Sequence, residues 1–472
     1  MHASAGMLAA RTRTRVVKLA LALTLVALAL HAGAPGAAHA QRGSLNQSPT
    51  TDGCINHDGS DDCTDADLLT GAFDVAFSPN GKHAYVALID VNAVAVLTRN
   101  PRSGALAQLA APLGCVSQDG SGGLCATGRG LRNPVAVTVS PDGRHVYVVS
   151  HQRDPVTLTS IALFARDAKT GALTQLPGAQ GCISEDIAGG ECTPAIGVRG
   201  VRGLAVSRDG RHVYAASSSD AVAAFARDAK SGALTQLPAP YACISQSGNG
   251  GQCTQGKALD GAHDVAISRD GRHVYVTAEH SRAVAVFARD RKTGALAQLP
   301  GEDGCIAENG AIEQCTDGVG IGSPTALALS PDGRSVYAIS PSHDQLAVMA
   351  RDPKTGRLRH VVCLQDDGSI VCEPAVAIDH PFDVTVSPDG RNVYVASRED
   401  DAVAAFARDR KSGGLTQIAT PAGCISDDGS ASVCRDGRAL RIPRAVAVSK
   451  NGRQVYAATQ GSSAVAVLQR AR

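Results

Sequence analysis

Tryptophan is absent from this chain of 472 residues, and aromatics of every kind make up only 3 % of it. A core built around bulky rings is thereby excluded, and the abundance of Gly, Ala and Val suits thin layers packed close together. Neither sign of charge is in excess, with 45 Lys+Arg against 44 Asp+Glu. Such an interspersed balance lacks the basic face that a nucleic-acid partner requires. After residue 40 no stretch approaches the ~20 apolar residues that a membrane span needs. Local catalytic signatures are missing too: there is no G-x-S-x-G elbow, no HExxH and no phosphate loop.

The first forty residues read as an export signal. Arg11, Arg13, Arg15 and Lys18 precede the apolar run LALALTLVALAL, and the small-residue ending Ala38-His39-Ala40 follows, which predicts cleavage after Ala40. No twin arginine and no lipid-accepting cysteine are present, so the expectation is a protein exported by the general route, secreted or periplasmic. Residues 41–472 then carry 41 Lys+Arg against 44 Asp+Glu, a net charge of −3.

Seven of the eight tyrosines share one context: Tyr85, Tyr147, Tyr214, Tyr275, Tyr337, Tyr394 and Tyr456, spaced 62, 67, 61, 62, 57 and 62 apart. The chain is therefore an array. Its clearest copy runs GAHDVAISRDGRHVYVTAEHSRAVAVFARDRKTGALAQLPGEDGCIAENGAIEQC, from Gly261 to Cys315. DVAIS and HVYVTA flank an Arg-Asp-Gly turn and read as a hairpin. AVAVFA follows, RDRKTG ends it with Asp290 placed to bond its own backbone, and ALAQL gives a fourth strand. A four-stranded sheet apolar on both faces must be covered on both. Radial repetition does this, because each sheet packs on two neighbours. The prediction is an all-β, seven-bladed β-propeller in one domain over 41–472; a linear solenoid is the alternative and would need polar capping repeats.

The seventh copy, from Pro443, has three strands only, whereas Gly43, Leu45 and Gln47 align with the Gly, Leu and Gln of GALTQL. Residues around 43–48 are predicted to pair with residues around 464–469 and to close the last blade, removing two sheet edges.

Fourteen cysteines fall into seven local pairs: Cys54/Cys63, Cys115/Cys125, Cys182/Cys192, Cys243/Cys253, Cys305/Cys315, Cys363/Cys372 and Cys424/Cys434. An even number, one pair per repeat and an export signal point to disulfides. Metal sites are the alternative, but no regular His or second Cys pair completes four ligands, and only Cys54/Cys63 encloses a histidine, His57. Each bridge is expected to pin an exposed hairpin between blades. Asp427-Asp428-Gly429 and Asp366-Asp367-Gly368 resemble fragments of calcium loops without the full spacing, and read as solvated turns.

Chemistry in such a ring gathers where innermost strands converge on the axis, at positions that differ between blades. Five residues before a recurrent Ser stand Phe73, Val135, Arg202, His263, Thr325, Phe382 and Arg444. The next column holds Asp74, Ala136, Gly203, Asp264, Ala326, Asp383 and Ala445. Arg202 and Arg444 can bind an anion, the carboxylates of Asp74, Asp264 and Asp383 a ligand or a divalent cation, and His263 can do acid–base work. The competing reading is that the aspartates cap strand starts by bonding neighbouring amides. Adjacent columns point to opposite faces of a strand, so both sets are not expected to face the channel equally. The recurrent His83, His145, His212 and His273 follow the hairpin turn and are expected to be exposed repeat positions.

The repeats SPDGRHVYV and AVFARDxKTGALTQL resemble those of the lactonase family of seven-bladed propellers, the 6-phosphogluconolactonase-like group also described by YVTN-type repeats. Pro443-Arg444 matches the first two positions of the Pro-Arg-His element that family enzymes carry, and Arg202 matches its arginine. The resemblance implies hydrolysis of a sugar-type lactone, with Asp264 or another channel carboxylate, or His263, activating water and Arg202 or Arg444 stabilising the oxyanion. Against that stands a binding scaffold, a monomer whose bridged hairpins form a stiff rim for a small molecule or an extracellular protein or glycan, with no cofactor. Because the blades differ only mildly, mainly in the SHQRDPVTLTS insert and the short CLQDDGSIVC hairpin, the sequence favours the scaffold. If the cysteine reading is right, the folded, unreduced protein will show no reaction with a thiol reagent, and full labelling would overturn it.

Overall fold

Short apolar runs cut by Asp-Gly or Asn-Gly turns become strands throughout. The computed structural model describes residues 41–151, 159–185, 191–310, 314–366, 368 and 371–472. The export signal and most of the blade-two insert lie outside the described residues. Among the described residues no helix is long and apolar enough to cross a membrane.

Seven sheets, antiparallel except at their outermost pair, are arranged as a seven-bladed β-propeller. In blade four the innermost strand Ala262–Ile267 is followed by His273–Ala278 and Ala283–Arg289. Between the first two, Gly271 takes a φ of +70°, and Asp270 Oδ1 accepts from Ser268 Oγ at 2.6 Å and from the Arg272 amide at 3.1 Å. That turn recurs in every blade and sets each hairpin register. Asp290 accepts the amides of Lys292 and Thr293, as its position in RDRKTG predicts.

The outer part of the blade is more elaborate than four strands. Leu296–Gln298 pairs with one end of Ala283–Arg289, the chain leaves the sheet for six residues, and Cys305–Glu308 resumes pairing at the other end. Thr316–Gly318 then adds a fifth, parallel strand.

All fourteen cysteines are bridged in the seven predicted pairs, with Cα–Cα distances of 4.6–4.9 Å. Their setting, however, differs from the exposed hairpin expected. The first partners, Cys54, Cys115, Cys182, Cys243, Cys305, Cys363 and Cys424, belong to the outer strand itself. The second partners, Cys63, Cys125, Cys192, Cys253, Cys315, Cys372 and Cys434, each stand immediately before the fifth strand. Of the second set, Cys63, Cys125, Cys253, Cys315, Cys372 and Cys434 are buried, at most 8 % accessible, and Cys192 is half-buried. The disulfide therefore does not pin a displayed hairpin between blades; it fastens the short fifth strand to its own sheet. A two- or three-residue parallel strand has too few ladder bonds to hold itself there, and the bridge supplies the missing restraint. Each bridge closes a small loop, worth roughly 2–3 kcal/mol in the chain-entropy model.

Blade five differs: Leu358–Asp366 runs unbroken as one outer strand. Asp428 accepts the Ser430 amide as a turn residue does, whereas Asp427 reaches across to the Leu440 amide.

The core lies between blades. Tyr85, Val94 and Val96 of blade one pack on Val146, Val148 and Phe164 of blade two, and the same facing layers recur around the ring. The seven repeat tyrosines are fully buried, each held by an arginine from the next blade. Arg227 of blade three donates from Nε to Tyr147 Oη at 2.7 Å, from Nη2 to His145 Nδ1 at 2.6 Å and Asp142 Oδ2 at 2.9 Å, and from Nη1 to the Gly210 carbonyl at 2.8 Å. Tyr147 in turn donates to the Gly232 carbonyl at 2.9 Å. His83, His145, His212 and His273 are therefore buried inter-blade residues, at most 5 % accessible, and not exposed. Burial first, and the adjoining guanidinium second, hold each imidazole below its ordinary 6.5.

Both ends of the described chain meet in blade seven. Leu45, Asn46 and Gln47 pair with Arg470, Gln469 and Leu468, and Cys54–Asn56 pairs with Ala464–Ala466. Tyr394 of blade six donates to the Gly43 carbonyl at 2.9 Å while Arg470 Nε donates to Tyr394, so the last latch uses both ends. Deleting residues 41–50 removes buried Leu45 and that acceptor. A clear fall in Tm is expected in thermal melts of the oxidised protein, and an unchanged Tm would exclude this closure.

Candidate functional site

An innermost strand is a sheet edge, and here it is also bent. In blades one, two, three, four, six and seven the pairing of the innermost strand slips at its start; in blade one Ala72 faces Leu88 but Asp74 faces Ala87. Such a bulge breaks the period of two and re-aims the bulged side chains. Both columns therefore line one cavity of about 880 Å³ on the propeller axis, contrary to the expectation from strict alternation. The cavity brings together Arg202, His263, Asp264, Arg444, Asp74 and Asp383. Its walls include no cysteine among the described residues, so the disulfides are structural and stand apart from the channel.

The three aspartates act as clips. Asp74 accepts the Val75 amide at Oδ1 and the Val137 amide of blade two at Oδ2, both at 2.7 Å. Asp264 does the same for Val265 at 2.7 Å and Leu327 of blade five at 3.0 Å. Asp383 serves Val384 and Val446 of blade seven, both at 2.8 Å. The capping reading of these residues is thus the structural one. Burial pushes Asp74 and Asp264 up to about 6 against the pull of these amides. Asp383 rises to about 8, through burial and then the charges of Asp74 and Asp264. Among the described residues no three His, Cys, Asp or Glu side chains converge as metal ligands would.

His263 is pushed down to about 3 by burial and by Arg202, so its ring is neutral at ordinary pH and a weak base. Gly203 stands between these groups: a Cβ there would lie 2.8 Å from Asp264 Oδ1 and 2.8 Å from Asp264 Cα. Arg202, His263 and Asp264 are consequently neighbours across the blade three–blade four junction. Arg444 occupies a different wall. Its guanidinium lies 4.5 Å from the Phe382 ring and 5.3 Å from the Phe73 ring, and its Nε donates to Gln460 Oε1 at 2.9 Å. The two rings meet edge to face at 5.6 Å.

Sequence reasoning missed the residues that leave the second strand and also line the cavity, including His151, Glu279 and Gln460. Their signal was available, since the same position reads Ile89, His151, Glu279, Pro341 and Gln460 in different blades.

The family model described as Lactonase, 7-bladed beta-propeller matches residues 67–246, 255–426 and 383–472. An uncharacterized protein of Lactococcus lactis subsp. cremoris is 24 % identical over 156 residues, 33 % of this chain, and the match spans only 40 % of that relative's length. Among solved structures, the periplasmic gluconolactonase of Pseudomonas aeruginosa is similar with 23 % identity and a TM-score of 0.51, covering 73 % of this chain and 83 % of its own. A putative 6-phosphogluconolactonase of Bacteroides fragilis has 17 % identity and a TM-score of 0.53, covering 84 % and 90 %. Hydrazine synthase of Kuenenia stuttgartiensis has 18 % identity and a TM-score of 0.51, covering 86 % and 97 %. At these identities the likeness is one of fold.

The clips give the site a pH signature. A carboxyl held above its ordinary 3.8 contributes stability that is full below 3.8 and lost as pH rises through its folded value, about 8 for Asp383. The latch histidines act the other way, but only below 6.5. Asp400, raised to about 7, titrates alike in wild type and in Asp383→Asn, so the difference between the two proteins from pH 7 to 9 reports Asp383. Across that window the wild type should lose about 1 kcal/mol more stability than Asp383→Asn. Parallel denaturation curves in the two proteins would contradict the assignment.

Proposed function

The chain belongs to the Lactonase family of seven-bladed β-propellers, and from that premise we propose that its central channel binds a sugar-type lactone and opens it with water. The observation that carries this reading is the meeting of Arg202, His263 and Asp264 at one junction, where Gly203, having no side chain, lets the backbone of blade three approach Asp264 closely. Seven nearly identical blades would give a scaffold no reason to break symmetry there. The preference for a binding scaffold drawn from mild blade differences therefore gives way to the catalytic alternative.

In this proposal Asp264, pushed up to about 6, is mostly ionised at neutral pH yet basic enough to take a proton from water. The water oxygen bonds to the lactone carbonyl carbon, and the carbonyl pair moves onto its oxygen, facing Arg202. Collapse re-forms the carbonyl and breaks the ring C–O bond. The ring alkoxide takes up the proton held by Asp264, leaving a hydroxy acid that ionises. Neutral His263 hydrogen-bonds without competing for the proton. The Phe73–Phe382–Arg444 wall holds the sugar ring by its apolar face and its hydroxyls. Seven disulfides support an extracytoplasmic site of action, and the similar Pseudomonas protein is described as periplasmic.

The test is pH-stat hydrolysis of glucono-δ-lactone by the oxidised protein. Arg202→Ala and Asp264→Asn are each expected to lower kcat about 100-fold, and Arg444→Ala to raise KM. Wild-type activity should rise with pH through about 6. A wild-type rate no faster than buffer for this and related aldonolactones would return the scaffold reading, with a protein or glycan partner.

A further inference from the structure

Three clips around a ring of seven leave one position over. The amides of Val75, Val137, Val265, Leu327, Val384 and Val446 each end on an aspartate oxygen. The seventh member of this set is Leu204, and the residues whose side chains would serve it are Ala136 of blade two and Gly203 of its own blade. Its orientation follows from the register. Ser207 N donates to the His212 carbonyl at 2.8 Å, so Ala205 with Tyr214 and Gly203 with Ala216 are the hydrogen-bonded pairs. The Leu204 N–H consequently faces away from the second strand, and Leu204 lines the cavity with Arg202. No strand lies beyond it, because Val201–Val206 is the sheet edge.

We propose that the Leu204 N–H is the oxyanion donor of the site, the one place in the ring where a ligand oxygen takes the seat that an aspartate oxygen fills elsewhere. The inference deepens the lactone reading and rests on it for the reaction. The carbonyl oxygen of the lactone sits on this amide, accumulates charge as water adds, and ends as one oxygen of the product carboxylate. Arg202 supplies the cation beside it, and Asp264 stands next to the seat across Gly203. Glycine is required at 203, since any Cβ would strike the Asp264 backbone. The same seat predicts that a polyhydroxy carboxylate, the product class, binds free protein.

Ala136→Asp tests this by giving blade two the carboxylate that Asp74 supplies in blade one, so that the protein fills its own seat. Gluconate binding by calorimetry should be lost and kcat on glucono-δ-lactone should fall about 100-fold, whereas Ala136→Val keeps both within about threefold of wild type. Equal losses in the two variants, or an unchanged Ala136→Asp, would overturn the seat. A readout on the unaltered protein guards against misfolding: in ¹⁵N-leucine-labelled wild type the Leu204 amide resonance should move on gluconate titration, and a fixed resonance counts against the proposal. The two readings separate cleanly. Wild type that binds gluconate at Leu204 but turns over no lactone keeps the seat and loses the hydrolase. Turnover that survives in Ala136→Asp with unchanged gluconate affinity keeps the hydrolase and loses the seat.

Discussion

Each third strand ends in an arginine that is buried against the preceding blade, and the ring depends on it. Arg99, Arg166, Arg227, Arg289, Arg351, Arg408 and Arg470 are at most 7 % accessible. A guanidinium taken out of water is costly unless its N–H groups find acceptors. Here the acceptors come from two blades at once: a tyrosine hydroxyl and a His, Ser, Asn or Gln side chain of the previous blade, and a turn glycine carbonyl of its own. The hydroxyl then donates back across the junction. This fixes the distance and rotation between neighbouring sheets in a way that Ala and Val packing, which is non-directional, cannot. Seven equal steps close the circle, the last drawing on Gly43 and Arg470 together.

Fixing the outer latch has a consequence at the axis. Innermost strands are left as sheet edges, and their outward amides need acceptors. Bulges in six of the seven blades turn two side chains of the innermost strand toward the channel, and a carboxylate placed there can satisfy two amides, one from each of two blades. Three such carboxylates are buried at the channel, which is why their proton affinities rise, and Asp383 rises furthest because the charges of Asp74 and Asp264 add to its burial. An odd number of blades cannot be paired off completely. The blade left without a clip is blade three, which carries Arg202 and Gly203 beside His263 and Asp264 of blade four, so the requirement for backbone satisfaction and the chemistry of the site meet at the same place.

Much of this was legible from one chain. Tyr85 to Tyr456 mark the repeat, the pairing of Leu45 with Arg470 follows from the missing fourth strand, and the cysteines pair locally as their spacing indicates. The candidate residues were also found, because positions that vary within a repeat stand out against those that do not. What failed was orientation. His83 and its counterparts looked exposed because polar residues after a turn usually are; their burial comes from Arg166, 83 residues away. Cys63 and its counterparts looked like one leg of a displayed hairpin, because the fifth strand that follows them is too short to leave a pattern of its own. Asp74 and Phe73 looked incompatible because strand alternation has a period of two, and nothing in AFDVAF announces a bulge.

The sequence by itself determined the number of blades, the disulfide pairs, the closing strand and the residues available at the axis, since all of these are read from period and composition. Only the tertiary structure decided which of those residues meet, which carboxylates are held partly protonated, and which backbone amide is left to a ligand. These depend on contacts between positions about one repeat apart, such as Asp74 with Val137 and Gly203 with Asp264. Local pattern carries no information about the angle at which one blade meets the next, and that angle places the groups within reach of one another.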